Sequence, residues 1–183
     1  MAKKSRNEEL KETVLDYLKR HYTMTLATAR DNKPWAATVF YANDGFNLYF
    51  MSSPTIAWHS QNIADNPYVS VTVDEDYPLI ERDDWKKVKG VQLEGKAEMM
   101  TSEEDVAKAV TAYVTKYPFV APYLKMIIHH PRITSFLEKV AERLAFVPSF
   151  KAVTENKFYR VVPTRLWFVD NETSFERREE VFL

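Results

Sequence analysis

One stretch, residues 46–74, limits the fold more than any other: FNLYFMSSPTIAWHSQNIADNPYVSVTVD. An apolar run ends in Ser52-Ser53-Pro54, a segment of helical composition follows, and Asn66-Pro67 stops it before a second apolar run begins. Ser53 suits a helix N-cap and Pro54 the first helical position, where a missing N–H is no loss. The spacing therefore predicts strand, helix, strand. A strand feeding a capped helix start gathers backbone donors and the positive end of a helix dipole at one place, which favours an anion. The rest of the chain reads as a barrel built around this unit.

Upstream, Ser5 with Glu8 three residues on forms a capping box, and Leu10, Val14, Leu15 and Leu18 recur at helical spacing, so a helix is expected over about 6–21. Residues 23–30 alternate as a strand. Asp31-Asn32-Lys33-Pro34 is a turn, 35–42 a second strand, and Asn43-Asp44-Gly45 a hairpin turn into 46–51. After a strand at 68–73, residues 74–87 form an acidic loop broken by Pro78. A long strand at 88–100 carries Gly90 and Gly95, where a bulge or barrel corner is expected. Thr101 with Glu104 is a second capping box, opening a helix to about Lys116. Prolines 118, 122 and 131 divide the following helical segment into two short helices. Residues 146–153 and 157–169 are strand-like, and 173–183 is a last strand or arm. The predicted fold is α+β: a mostly antiparallel, six-stranded split β-barrel with flanking helices, as a single domain over 1–183 with a helical insertion at 117–147.

Composition removes several function classes. The 25 basic and 26 acidic residues leave a net charge of −1, so neither a nucleic-acid surface nor a polybasic membrane surface is expected. The absence of cysteine excludes disulfides, thiolate metal sites and cysteine nucleophiles, and fits a cytoplasmic protein. The first residues lack the apolar core of a secretory signal, and no apolar run reaches membrane-spanning length. Three glycines, Gly45, Gly90 and Gly95, are too few and too scattered for a Walker or Rossmann phosphate loop.

In order and spacing, Tyr49-Phe50, Ser52-Ser53, Asn66-Pro67-Tyr68-Val69-Ser70 and Gly95-Lys96-Ala97-Glu98 resemble the pyridoxamine 5′-phosphate oxidase-like, FMN-binding split-barrel family over residues 10–115. The tail FYRVVPTRLWFVDNETSF resembles the final strands of small members of that superfamily. The resemblance implies a homodimer with FMN between subunits and its phosphate at the strand–helix unit. Ser53 takes the place of the family's phosphate-binding hydroxyl, with Ser52 beside it. Ala57 falls where a serine is usual, Trp58 where an arginine is usual, His59 where a lysine is usual, and Ala37 near another phosphate arginine. His59 is left to supply positive charge. Trp58 stacks on a cofactor, or fills core or dimer interface. Backbone at Ala37, Thr38 and Val39 is expected to meet the flavin edge, and Gln92 to reach the ring from the partner subunit.

Other candidates are weaker. Adjacent His129 and His130 point to different sides of any regular element, with no third ligand nearby, and the acidic loop at 74–84 lacks calcium-loop spacing. The expected function is flavin-dependent oxidation or reduction of a small molecule. The SFERREEVFL terminus does not reproduce the substrate segment of the vitamin B6 oxidase itself. Haem is an alternative ligand, with His59, His129 or His130 as axial donors and residues 117–147 as a lid. A cofactor-free dimeric interaction domain is the third reading.

Overall fold

The structure, a computed structural model, describes residues 4–128, 131–141, 155–175 and 177–183. Helix α1 (Arg6–Arg20) starts at the expected box: Ser5 Oγ accepts the Glu8 N–H at 3.3 Å, and Glu8 Oε2 accepts the Ser5 N–H at 2.7 Å. Strands β1 (Thr23–Arg30), β2 (Lys33–Asp44) and β3 (Asn47–Ser52) form an antiparallel meander. Its first turn is only Asp31-Asn32, both left-handed at φ 51° and 59°, so Lys33 and Pro34 already belong to β2. Gly45, at φ 57°, opens the second turn, where a Cβ would be strained. Helix α2 (Trp58–Asp65) and strand β4 (Tyr68–Asp74) follow.

Helix α2 corrects one expectation. It begins at Trp58, not at Pro54, and no side chain caps it. The β-branched pair Thr55-Ile56 is a poor first turn, and Ala57 is extended at φ −82°, ψ 123°. Ser53 instead closes a tight turn, its Oγ accepting the Ile56 N–H at 3.2 Å and its carbonyl the Ala57 N–H at 3.3 Å.

Strand β5 (Lys89–Met99) leads to α3 (Glu103–Lys116), capped by Ser102, whose Oγ accepts the Asp105 N–H at 3.1 Å, rather than by Thr101. Short helices α4 (Ala121–Ile127) and α5 (Pro131–Ala141) are the pair that the prolines predict. Strand β6 (Lys157–Asp170) and strand β7 (Arg178–Val181) end the chain; the expected strand at 146–153 lies outside the described residues. Among the described residues no helix is long and apolar enough to cross a membrane.

The strand order is β3-β2-β1-β4-β5-β6-β7, and β3 also pairs with β6, which closes six strands into a barrel. Closure removes the edges that open strands would expose. Strand β7 joins outside the ring, on the half of β6 that β3 leaves free. Alternation sends Leu26, Tyr41, Leu48, Phe50, Val71, Leu93, Val161 and Leu166 into the interior. Helix α1 closes one end with Leu10, Val14 and Leu18, and α2 closes the other with Ile63. Asn62 and Asn66 of α2 and its C-cap tie that plug to β1, donating to Thr28 Oγ1 and the Ala29 carbonyl, each at 3.0 Å.

The register slips between Glu94 and Gly95, which is the bulge the glycine predicts. A Cβ on Gly95 would lie 2.3 Å from the Val162 carbonyl oxygen, and Pro163 opposite has no N–H to donate. Thr164 Oγ1 donates to the Glu94 carbonyl at 3.1 Å, which supplies a bond at the irregular step.

A second core lies outside the barrel. Ala42, Tyr49 and Phe158, on the outer faces of β2, β3 and β6, pack against Ala109, Tyr113 and Tyr117 of the α3 region, Leu124 of α4 and Leu137 of α5. Helices thus cover the barrel around β3. The outer faces of β1, β2 and β4 expose small residues, Ala27, Ala36, Thr38 and Ser70, and two large rings, Phe40 and Tyr68, at 65% and 64% accessibility.

Candidate functional site

The C-terminal end of β3 carries two adjoining features, a hydroxyl turn and an aromatic cleft. Ser52 follows Leu48 and Phe50 in parity, so its side chain turns inward and is 6% exposed. Ser60 Oγ donates to Ser52 Oγ at 2.8 Å, and Ser52 Oγ lies 2.7 Å from His59 Nε2. Burial pushes the His59 pKa down. A neutral imidazole can then accept the Ser52 proton, and the three side chains form one internal chain Ser60→Ser52→His59. His59 also lies against the Phe50 ring, with centroids 6.0 Å apart, so it belongs to the barrel plug.

This environment makes a pH-dependent contribution to stability. The folded state depresses the affinity of His59 for a proton, so the unfolded chain binds more protons as pH falls below the ordinary histidine value of about 6.5. Stability from this group is complete above that pH and declines below it. We expect thermal melts of His59→Gln to lose part of the decline the unmodified protein shows between about pH 6.5 and 5. Identical slopes for the two proteins would contradict the assignment.

Ser53 faces the other way, into the turn. Thr55 Oγ1 donates to Glu155 Oε2 at 2.9 Å, so in the 3.2 Å contact between Ser53 Oγ and Thr55 Oγ1 the serine is the donor. With His59 in its Nδ1–H tautomer, the protons of Ser52, Ser53, Thr55 and Ser60 are all committed to the protein. Trp58 does not enter the core; it is 62% exposed and tilts against Trp35, with centroids 4.8 Å apart.

Next to this turn is a cleft of about 620 Å³, within the usual range for small-molecule sites. Its floor is Thr38, Val39 and Phe40 of β2 and Met51 of β3, and its wall is Tyr113, Tyr117, Phe119, Val120 and Tyr123, with Asn156 at the edge. The wall is pinned to the sheet. Tyr113 Oη donates to the Phe40 carbonyl at 2.8 Å, while Tyr117 Oη lies 2.7 Å from the carbonyls of both Tyr22 and Tyr41. Burial raises the pKa of both phenols, so they remain protonated donors. Asn156 Nδ2 donates to Tyr123 Oη at 2.8 Å. Since Glu155 and Asn156 are neighbours, the turn and the cleft share one rim. The arrangement offers a flat ligand a strand backbone on one side and ring faces on the other.

The residues singled out from sequence are thus dispersed. Thr38 and Val39 line the cleft, and Ala37 does not. Ser52 and His59 satisfy each other in the plug, Ser53 is in the turn, and Trp58 is on the surface. Gln92 is on β5, three strands from β2 in either direction around the ring. There its Oε1 accepts from Arg178 Nη1 at 3.3 Å, beside Trp167, which the guanidinium groups of Arg165 and Arg178 flank at 4.5 and 5.1 Å. His129 and His130 lie outside the described residues. No cluster of three metal-ligating side chains occurs among the described residues. In the acidic loop, Asp84 is bonded to the N–H groups of Ile80 and Glu81 and to Lys87 Nζ.

Much of the cleft wall, Tyr117 to Tyr123, falls in the segment 117–147 expected as a lid; Tyr113 and the floor it faces were not singled out from sequence. The available signal is Tyr113 and Tyr117 at i, i+4, followed by Phe119 and Tyr123.

FMN can be tested against these residues. Its ring system fits the cleft in size and character. Its phosphate does not fit the turn, where the hydroxyl protons are committed, His59 is neutral and a carboxylate is already bonded.

Comparison with other proteins bears on the same region. No curated protein matches the sequence. The haem-binding protein from Mycobacterium smegmatis superposes with a TM-score of 0.60 at 19% identity over 98% of this chain, which spans 59% of that protein. The haem storage protein from Vibrio cholerae superposes at 0.55 with 14% identity, over 85% of this chain and 91% of that one. General stress protein 26 from Bacillus anthracis superposes at 0.53 with 16% identity, over 88% and 95%. At these identities the likeness is one of fold. The family model for pyridoxamine 5′-phosphate oxidase matches residues 10–147, a span that takes in the barrel from α1 to β5, the hydroxyl turn and the tyrosine wall of the cleft. By that match the chain belongs to the pyridoxamine 5′-phosphate oxidase family.

Proposed function

We propose that the chain binds the ring of a flavin in the cleft between the outer face of β2–β3 and the tyrosine wall, and acts as a flavin-dependent oxidoreductase on a small molecule. The aromatic-walled cleft of about 620 Å³ carries this reading. A bound flavin supplies the redox chemistry; the protein's part is to hold the ring and exclude water. Thr38 and Met51 offer a floor, and Tyr117, Phe119 and Tyr123 offer faces and edges for stacking.

The reading includes a homodimer. The outer faces of β1, β2 and β4 expose Ala27, Ala36, Phe40 and Tyr68, a surface of small and aromatic residues suited to close approach by a second copy. Gln92 lies across the barrel from the cleft of its own chain, and in this reading it approaches the ring from the partner subunit.

Haem is the second reading, favoured by similarity to proteins described as haem-binding and haem storage. It needs an axial donor. Nε2 of His59 is engaged with Ser52, and Nδ1 of His21 with the Tyr17 carbonyl at 2.8 Å, on the α1 side of the barrel. Among the described residues, the side chains that line the cleft offer an iron phenolic oxygens and a thioether in place of an imidazole.

The visible spectrum of the purified protein separates these readings. We expect the paired near-ultraviolet and blue bands of a flavin, as isolated or after incubation with riboflavin. A Soret band would favour haem, and an absence of bands under both conditions would favour a cofactor-free interaction domain.

A further inference from the structure

The hydroxyl turn adjoins the rim of the cleft through Glu155 and Asn156. A phosphomonoester dianion is held tightly where cations and free donors converge, because charge-assisted hydrogen bonds are about twice as strong as neutral ones. At the end of β3 the described side-chain hydroxyls are engaged with one another, and a carboxylate stands among them. The Ser53 proton goes to Thr55 and the Thr55 proton to the Glu155 carboxylate, 2.9 Å away, while Ser52 and Ser60 are turned into the plug with neutral His59. Lys157 lies opposite Ser52 in the β3–β6 ladder, two residues beyond the acidic Glu155. Trp58, exposed at the start of α2, offers an indole where a cation would be needed.

Resting on the flavin reading above, we infer that this site is built for a ring-bearing ligand without a terminal phosphate: riboflavin and similar non-phosphorylated tricyclic rings rather than FMN. The ring lies in the cleft with its polyol chain toward the shared rim of Asn156 and Glu155. There neutral hydroxyls can bond the Glu155 carboxylate that repels a phosphate.

The test is a pair of titrations, riboflavin and FMN, each followed by quenching of flavin fluorescence on the full chain. We expect riboflavin to bind as tightly as FMN or more tightly. Trp58→Arg changes one exposed position and adds a cation at the start of α2, beside the turn. It should gain about tenfold or more for FMN while its riboflavin affinity moves less than about threefold. If the unmodified protein binds FMN about tenfold or more tightly than riboflavin, the inference is overturned and the flavin reading stands. If Trp58→Arg shifts both ligands equally, the turn does not meet the ligand's chain and the inference is likewise overturned. If neither flavin binds, the flavin reading fails and this inference with it.

Discussion

Gly95→Ala is expected to lower the stability of the protein by roughly 3 kcal/mol, the upper end of what overpacking usually costs. The added methyl would sit 2.3 Å from the Val162 carbonyl oxygen and 2.9 Å from the Pro163 Cα. Both are backbone atoms, so no rotamer change relieves the contact. Relief requires β5 and β6 to separate, and these strands share the longest ladder in the barrel, from Lys89 opposite Asp170 to Met99 opposite Tyr159. Gly90 provides a control within the same strand. Its added Cβ would meet the Val73 carbonyl oxygen at 3.3 Å, a contact that a shift of a few tenths of an ångström accommodates. Urea unfolding of both variants measures the difference. A Gly95→Ala protein within about 1 kcal/mol of the unmodified one would mean that the β5–β6 bulge is not packed as described.

Much of the architecture could be read from local pattern. The Ser5–Glu8 box places the start of α1, and Gly95 marks the irregular step in β5. The order of turns around residues 31 and 45 gives the meander. These features depend on residues close in sequence, where propensity and hydrogen bonding act together. The start of α2 was misplaced because Ser-Pro serves a tight turn as well as a helix cap, and Thr55-Ile56 decides for the turn. The side on which Ser52 falls was within reach: period two puts it with Leu48 and Phe50. The cleft was not. Its floor comes from β2 and β3 and its wall from residues 113–123, and Glu155 arrives at the turn from the start of β6. No local signal states which sheet face a distant helix covers, and the committed hydroxyl protons follow from that packing.

The second large effect concerns the cleft directly. Thr38 is exposed on the outer face of β2 and forms part of the cleft floor. A tryptophan there is a good strand residue, so the barrel should be retained, while its indole fills the space opposite Tyr117 and Phe119. Thr38→Trp is therefore expected to fold with unchanged cooperativity and to lose flavin affinity by at least about a hundredfold, equivalent to roughly 2.7 kcal/mol. The same substitution tests the central claim, that the ligand lies between the β2–β3 face and the tyrosine wall. The decisive measurement is riboflavin titration of the unmodified and Thr38→Trp proteins side by side, followed by fluorescence quenching. Saturable binding to the first and its loss from the folded second is the predicted result; binding to both within about threefold would contradict it.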